Sequence, residues 1–597
     1  MSSVLPLVAA AFRCLNRHVD WHRLPFWLAI ANLAALRVDL RRLNLFDTGT
    51  WPPPEAAAAS AETRCCRSAD GGFNDLRAPA MGRAGTRFGR NVPIAETWGE
   101  AEPALLDPDP RLISRELLAR REFVPASSLN LLAASWLQFM LHDWFDHGPN
   151  DGASPIRIPL QDGDDWPERA MEVARTGQDP TRTAVEQGRP ATFLNTETHW
   201  WDASQIYGSS AERQERVRRD PGTGRPLPDG KLHLEAGRLP LDEDGIELAG
   251  MNRNWWIGLS AMHTLFAREH NAICDRLRIE YPDKDGEWLF QRARLINAAL
   301  LAKIHTVEWT PAMLDTPELR FGMRGNWWGA LGEDYFLANG RLCDNEIVSG
   351  VPGGPAEHHG VPYAITEEFV AVYRMHPLLP DDLDFRALEN GRPLKRCGLE
   401  DVVGRRVGAL YDEVPLLDAI YSLGTSHPGA LVLHNYPNTL RRLTRQDSGC
   451  LGDMAVIDIL RDRERGVPRY CRFRRLLGMR VPRSFDELTD NPAWARELEE
   501  IYGDVEKVDL LVGVLAETPP RRFAFSDTAF RVFILMATRR LESDRFFTTD
   551  YTPEVYTEAG MDWIDGNGMR SVLRRHFPEL GAQLDGVKNA FQPWPGH

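Results

Sequence analysis

The stretch Phe369-Val-Ala-Val-Tyr-Arg-Met-His-Pro-Leu-Leu-Pro380 sets Tyr373 three residues before His376. On a helix, residues at i and i+3 share a face. The spacing therefore predicts a helix over Glu367–Met375 with a phenol and a buried imidazole one turn apart. An iron held by such a histidine could oxidise such a tyrosine. A core helix with a satisfied His and Tyr explains the segment equally well, because short motifs also match by chance. The rest of the chain has to decide.

A second apolar helix, predicted over Ser127–Asp146, contains Leu131-Leu-Ala-Ala-Ser-Trp-Leu-Gln-Phe-Met-Leu-His-Asp-Trp144. Gln138 and His142 lie at i, i+4 on one face. Buried polar groups need partners, which a cofactor pocket or a satisfied core pair would supply. Asp143 follows and points elsewhere. Farther along, Thr198-His-Trp-Trp-Asp-Ala-Ser204 offers oxygen at alternate positions: Thr198, the Trp200 carbonyl, Asp202 and Ser204. Calcium takes six to eight oxygens of mixed type. With Asp143 as an outside ligand, such a loop would be tied to the helix of His142.

Apolar residues recur at helical spacing over Gly258–Glu280, Trp288–Val307, Asn491–Tyr502, Thr528–Glu542 and Gly568–His576 as well. Strand-like alternation is sparse. Long loops intervene, at Thr50–Gly72, Gly148–Pro190, Asp220–Asp244 and Gly350–Pro362. The fold class expected is mainly α. Residues 1–70 form an N-terminal arm and 71–597 one large catalytic domain with long ordered loops. A net charge of −15 argues against capture of nucleic acid, which needs a basic face. Eight scattered cysteines with no CxxC pair read as free thiols in a reducing, cytoplasmic compartment. Leu24–Leu36 is too short to span a bilayer. It reads either as an interfacial helix in peripheral membrane contact or as a core helix.

Four segments, taken in order, resemble the animal-type haem peroxidase superfamily. They are Gln138-x-x-x-His142-Asp143, the Thr198–Ser204 loop, Met262-His-Thr-Leu-Phe-Ala-Arg-Glu-His-Asn271, and Tyr373-Arg-Met-His376. Finer stretches resemble one branch, the fatty acid α-dioxygenases, which sit beside the cyclooxygenases. These are Phe73–Leu76, Gly85–Pro93, Ala302–Thr310, Arg461–Tyr470 and Arg539–Thr549. The resemblance runs from about Leu24 to about His576.

It implies a haem peroxidase-like domain and a role for each matching position. His376 becomes the proximal haem ligand and His142 the distal histidine, with Gln138 lining the distal pocket. Tyr373 becomes the radical-forming tyrosine. His305, Thr310 and Arg540 match the positions that hold a substrate carboxylate. Asp143, Thr198, Trp200, Asp202 and Ser204 match the Ca²⁺ ligands, and Asn435 matches the asparagine that supports the proximal histidine. Leu141 and Asn254-Trp-Trp-Ile257 carry no acid where mammalian peroxidases tether haem, so noncovalent haem b is expected. Arg253 lies one residue out of register with the peroxidases' distal arginine.

The implied reaction joins a fatty acid and O₂ at C2. A base would have to create a carbanion beside a carboxylate, whereas a tyrosyl radical takes a hydrogen atom and builds no such charge. Arg540 can grip the acid bidentately, and Phe533 is proposed to line an apolar channel for the tail. A monomer is expected. Rival readings are a peroxidase using hydrogen peroxide and small reductants, a non-haem metal hydrolase built on His142-Asp-x-x-Asp-His147, and a scaffold that only binds lipid or haem.

Overall fold

The computed structural model describes residues 4–16, 18–49, 60–444 and 451–596; the start of the Thr50–Gly72 loop and Cys450 lie outside the described residues. The chain is mainly α, as its periodicity predicts. Eight helices position the site: α1 (Phe26–Leu43), α2 (Leu131–Trp144), α3 (Ser204–Tyr207), α4 (Ile257–Glu280), α5 (Gly286–Ile304), α6 (Glu367–Val372), α7 (Met454–Glu464) and α8 (Asp527–Ser543).

The centre is α4 packed between α2 and α5. Leu259, Met262, Leu265 and Phe266 of α4 and Leu295, Ile296, Ala299 and Leu300 of α5 have no measurable exposure. Truncating any of these leucines to alanine would cost about 2–5 kcal/mol, because so enclosed a site cannot collapse. α5 starts on a capping aspartate, since Asp285 accepts from the Trp288 amide.

The segment expected to be an arm joins this core. Trp21 donates to Asp527 Oδ1 at 2.9 Å, Arg41 pairs with Glu542, and Arg67 reaches Asp544 at 2.8 Å. α1 buries Leu33, Leu36 and Leu40. At its other end Trp27 is 70% exposed, beside Phe26 and Phe321. The helix is thus a core element with one apolar end in the open. No helix among the described residues is long and apolar enough to cross a membrane.

The loop predicted over Gly148–Pro190 contains a hairpin, Asp151–Pro159 paired with Ala170–Arg175. Ile156, Ile158, Met171 and Val173 alternate inward and pack with Val456 and Leu460 of α7. Four alternating residues in two short runs are too few to stand out among Asp and Gly. Cys14, Cys274, Cys343, Cys397 and Cys471 are free thiols.

Candidate active site

α6 is shorter than its sequence pattern suggests. It begins on Thr366, whose side chain caps the Phe369 amide, and ends at Val372. Tyr373 is the C-cap residue, and His376 opens a separate 3₁₀ turn, His376–Leu378. Pro377 is the cause: it has no amide, and its ring would clash with the carbonyl four residues back, that of Tyr373. The two side chains therefore do not share one α-helical face. His376 is not fully buried either; its side chain is 32% exposed.

Tyr373 is 3% exposed, and its hydroxyl has no hydrogen-bond partner. Its ring lies 5.7 Å from Trp144, 4.5 Å from Phe369 and 6.4 Å from Phe533. Burial pushes the phenol's pKa far up, so it is a neutral O–H. Phe533 stands beside that phenol while also packing on Phe525 and Phe530.

His376 donates through Nδ1 to Asp458 Oδ2 on α7 at 2.7 Å. Its Nε2 is thereby left for another partner. Asn435, expected to support this histidine, does not. Its amide donates to the Val124 and Ala430 carbonyls, and its oxygen accepts from Arg120 and the Val124 amide. The residue after it, Tyr436, is the one that turns toward His376, donating to Asp458 Oδ2 at 2.8 Å. Asp458 escaped sequence reasoning because it acts from a different helix, with no spacing rule linking it to His376.

On α2, Gln138 accepts from the Trp256 indole at 2.8 Å and donates to the Asn254 carbonyl at 3.3 Å. His142 is buried with Nδ1 unpartnered. Burial lowers its pKa to about 4, so the imidazole is neutral near pH 7. Arg253 pairs with Asp146 at 2.9 Å and is half exposed. α2 ends at Trp144, so Asp146 and His147 leave the helix, and His147 binds Glu367 at 3.0 Å. The helical His-Asp-x-x-Asp-His cluster of the hydrolase reading is not formed.

The third group surrounds Arg540 of α8. Its guanidinium is 1% exposed and lies 4.0 Å from the Trp144 ring centre and 4.7 Å from that of Trp201. Nε and Nη2 have no partner, and no carboxylate forms a salt bridge with it among the described residues. Glu542 and Asp544, the obvious surface partners, are taken by Arg41 and Arg67. A buried cation without a counter-ion is costly, and it marks a place for an anion from outside.

His305 stacks on Trp309 and meets Trp144 and Trp201 edge-on. The Trp136 indole, which can only donate, gives its proton to His305 Nδ1 at 3.2 Å. Neutral His305 must then carry its hydrogen on Nε2. Burial, aided by Arg540, keeps it neutral by lowering its pKa well below the ordinary value. Thr310 was expected on another face, five residues on. A π-turn, His305–Trp309, precedes it instead, and α-helical bonding resumes over Thr310–Met313, with Pro311 in its first turn. The extra residue brings Thr310 back toward His305, whose carbonyl accepts its hydroxyl at 2.8 Å. Thr310 can turn to a ligand only by giving up that bond.

Four of the five proposed calcium residues come together: Asp143, Thr198, Asp202 and Ser204. Ser204 donates to Asp143 Oδ1 through its amide (2.6 Å), and Thr198 Oγ1 donates to Asp202 Oδ1 (2.9 Å). Ala203 reaches the left-handed region (φ 62°) to turn the loop into α3. Asp143 Oδ2 is buried and unpartnered. Burial and the neighbouring Asp202 carboxylate push its pKa well up. Two close buried carboxylates with hydroxyls beside them suit a hard cation, although Arg294 already gives Asp202 one charge at 3.1 Å. Trp200 stacks on Tyr363 at 4.6 Å, and a Cβ on Gly82 would stand 2.4 Å from its ring, which glycine alone avoids. His199 accepts from the Ile365 amide and gives its carbonyl to Tyr363, so the loop is fastened to the segment that starts α6.

The animal haem peroxidase family model matches residues 66–590. The chain belongs to that family. Alpha-dioxygenase 1 of Capsicum annuum is 39% identical, over 97% of this chain and 90% of its own. The crystal structure of fatty acid alpha-dioxygenase from Arabidopsis thaliana superposes with a TM-score of 0.91 at 35% identity, covering 100% of this chain and 93% of that one. The Oryza sativa fatty acid alpha-dioxygenase solved with palmitic acid gives the same score and identity, covering 98% of that chain. This haem peroxidase thus sits in the alpha-dioxygenase branch. Its residues fit the haem that the family implies: His376 has Nδ1 fixed by a carboxylate and Nε2 free, the usual arrangement of a metal-bound histidine.

Proposed function

We propose that this chain oxygenates fatty acids at C2 with O₂ to give 2-hydroperoxy acids. The observation that carries the reading is the buried, counter-ion-free guanidinium of Arg540 beside the unpartnered hydroxyl of Tyr373. Nothing in a peroxidase that uses small reductants needs a carboxylate receptor at its tyrosine.

Arg540 binds the acid through Nε and Nη2, and His305 adds its Nε2–H. That grip fixes C2, and no later methylene, against the Tyr373 oxygen. Haem held by His376, without a covalent tether at Leu141 or Asn254–Ile257, would supply the one-electron oxidation that makes Tyr373 a phenoxyl radical. The radical takes one hydrogen atom from C2 and becomes the phenol again. O₂ adds to the C2 radical, and the resulting peroxyl takes the hydrogen atom back from Tyr373. The sum is one fatty acid and one O₂ in, one 2-hydroperoxy acid out, with the radical restored. His142 and Gln138 shape the distal pocket, and Phe533 lines the path of the tail. Calcium at Asp143, Thr198, Trp200, Asp202 and Ser204 holds the loop to α2.

The proposal extends to a monomer in the cytoplasm, a reducing compartment that suits the free thiols. The exposed Trp27 and Leu28 on α1 support a peripheral lipid contact from which fatty acid is taken. Oxygen-electrode traces with palmitate, set against guaiacol oxidation with hydrogen peroxide, test the reading. Uptake with palmitate and a C2 hydroperoxide by mass spectrometry are expected. Guaiacol oxidation without palmitate-dependent uptake would replace it with the peroxidase reading.

A further inference from the structure

Asp458 does more than fix the ring of His376. It is 1% exposed, on α7, and its two oxygens collect three donors. Oδ2 accepts from His376 Nδ1 at 2.7 Å and from the Tyr436 hydroxyl at 2.8 Å, and Oδ1 accepts from Arg374 at 3.0 Å. Arg374 is shared, since its Nε also binds Asp462 at 3.1 Å, so one guanidinium serves two buried carboxylates. Asp458 thus keeps unneutralised negative charge, directed at the histidine. The hairpin over Asp151–Arg175 packs behind α7 through Val456 and Leu460 and holds the carboxylate in place.

We infer that Asp458 is a positioning residue that sets how strongly His376 donates electrons to the haem iron; the inference rests on His376 being the proximal ligand. A histidine whose N–H points at a carbonyl keeps that proton to itself. One whose N–H points at a carboxylate shares it, and the opposite nitrogen gains basicity. A more basic Nε2 favours ferric over ferrous iron. That bias suits an enzyme whose oxygen must meet a carbon radical, because ferrous haem would bind O₂ and divert it. Tyr436 and Arg374 act as a brake, each drawing carboxylate density away from His376. The strength of the push is therefore adjustable in both directions by single side chains.

The test uses the haem-loaded protein and two readouts other than turnover: the iron–histidine stretch of the reduced form by resonance Raman, and the ferric–ferrous midpoint potential. Asp458→Asn should move the stretch to lower frequency and the potential upward. Tyr436→Phe removes a competing donor from the same oxygen, so it should move both in the opposite direction. A purely structural role would shift neither, or both variants the same way, and either result overturns the inference. If Asp458→Asn fails to retain haem, the sign of the Tyr436→Phe shift decides alone. His376→Gly separates the two levels: loss of the stretch with recovery by added imidazole upholds the ligand assignment, whereas an unchanged stretch removes the ligand and this inference with it.

Discussion

Arg540 carries more of the functional reading than any other side chain. Its chemistry was visible in the sequence as an arginine close to candidate acids, and those acids are what made a surface ion pair plausible. Only the fold shows Glu542 and Asp544 engaged elsewhere. A hydrogen bond to a charged group is worth about 1.5–3 kcal/mol, so Arg540→Ala should raise the KM for palmitate roughly 10- to 100-fold. The KM for the matching alcohol, which has no anion, should hardly move; steady-state oxygen uptake with both substrates checks this. Tyr373→Phe should keep the Soret band and lose palmitate-dependent uptake, since only the hydrogen-bearing oxygen is removed. Because His305 is a neutral donor with its proton fixed on Nε2, its charge does not change as the pH rises past 6.5. Palmitate KM should accordingly stay flat from pH 6 to 8.5 in pH-resolved kinetics, whereas a cationic His305 would make it climb above 6.5. Trp136, which sets that proton, was legible only as one more apolar residue of α2.

Two elements depart from their sequence patterns, each with a proline close by. Pro377 cuts α6 before Tyr373, and Pro311 follows the π-turn that gathers His305 and Thr310. Both signals were present in the sequence; hydrophobic periodicity ran past them because it counts side chains and not backbone donors. The gathering of Asp143, Thr198, Asp202 and Ser204 follows the oxygen spacing of the Thr198–Ser204 loop. Its fastening to Ile365 and Tyr363 was not legible, since His199 and Tyr363 look like ordinary aromatics. If calcium fills the loop, it acts on the start of α6 as well. Chelation should lower the melting temperature measured by circular dichroism, and calcium at 100 times its Kd should return about 2.7 kcal/mol. Asp143→Asn should melt alike with and without the ion. The hairpin behind α7 was read as loop because its two runs are short and set among turn residues.

For the molecule as a whole, fold class and family were legible because rare residue types recur in a fixed order along nearly the entire chain. The standing of the first 45 residues was not. Residues 1–70 read as an arm, with Leu24–Leu36 open between an interfacial and a core helix, yet Trp21 and Arg41 close onto the helix of Arg540. Removing residues before 46 should therefore abolish palmitate oxygenation, measured as uptake per mole of bound haem, and not merely weaken vesicle binding. There is also a consequence for biosynthesis. Trp21 meets Asp527 across 506 positions, and a ribosome adds about 5–20 residues per second. The Trp21 segment must wait roughly half a minute to two minutes for its partner to be made. Through that interval its indole and apolar stripe lack the helix they pack on, so docking of the Trp21 segment falls late in synthesis.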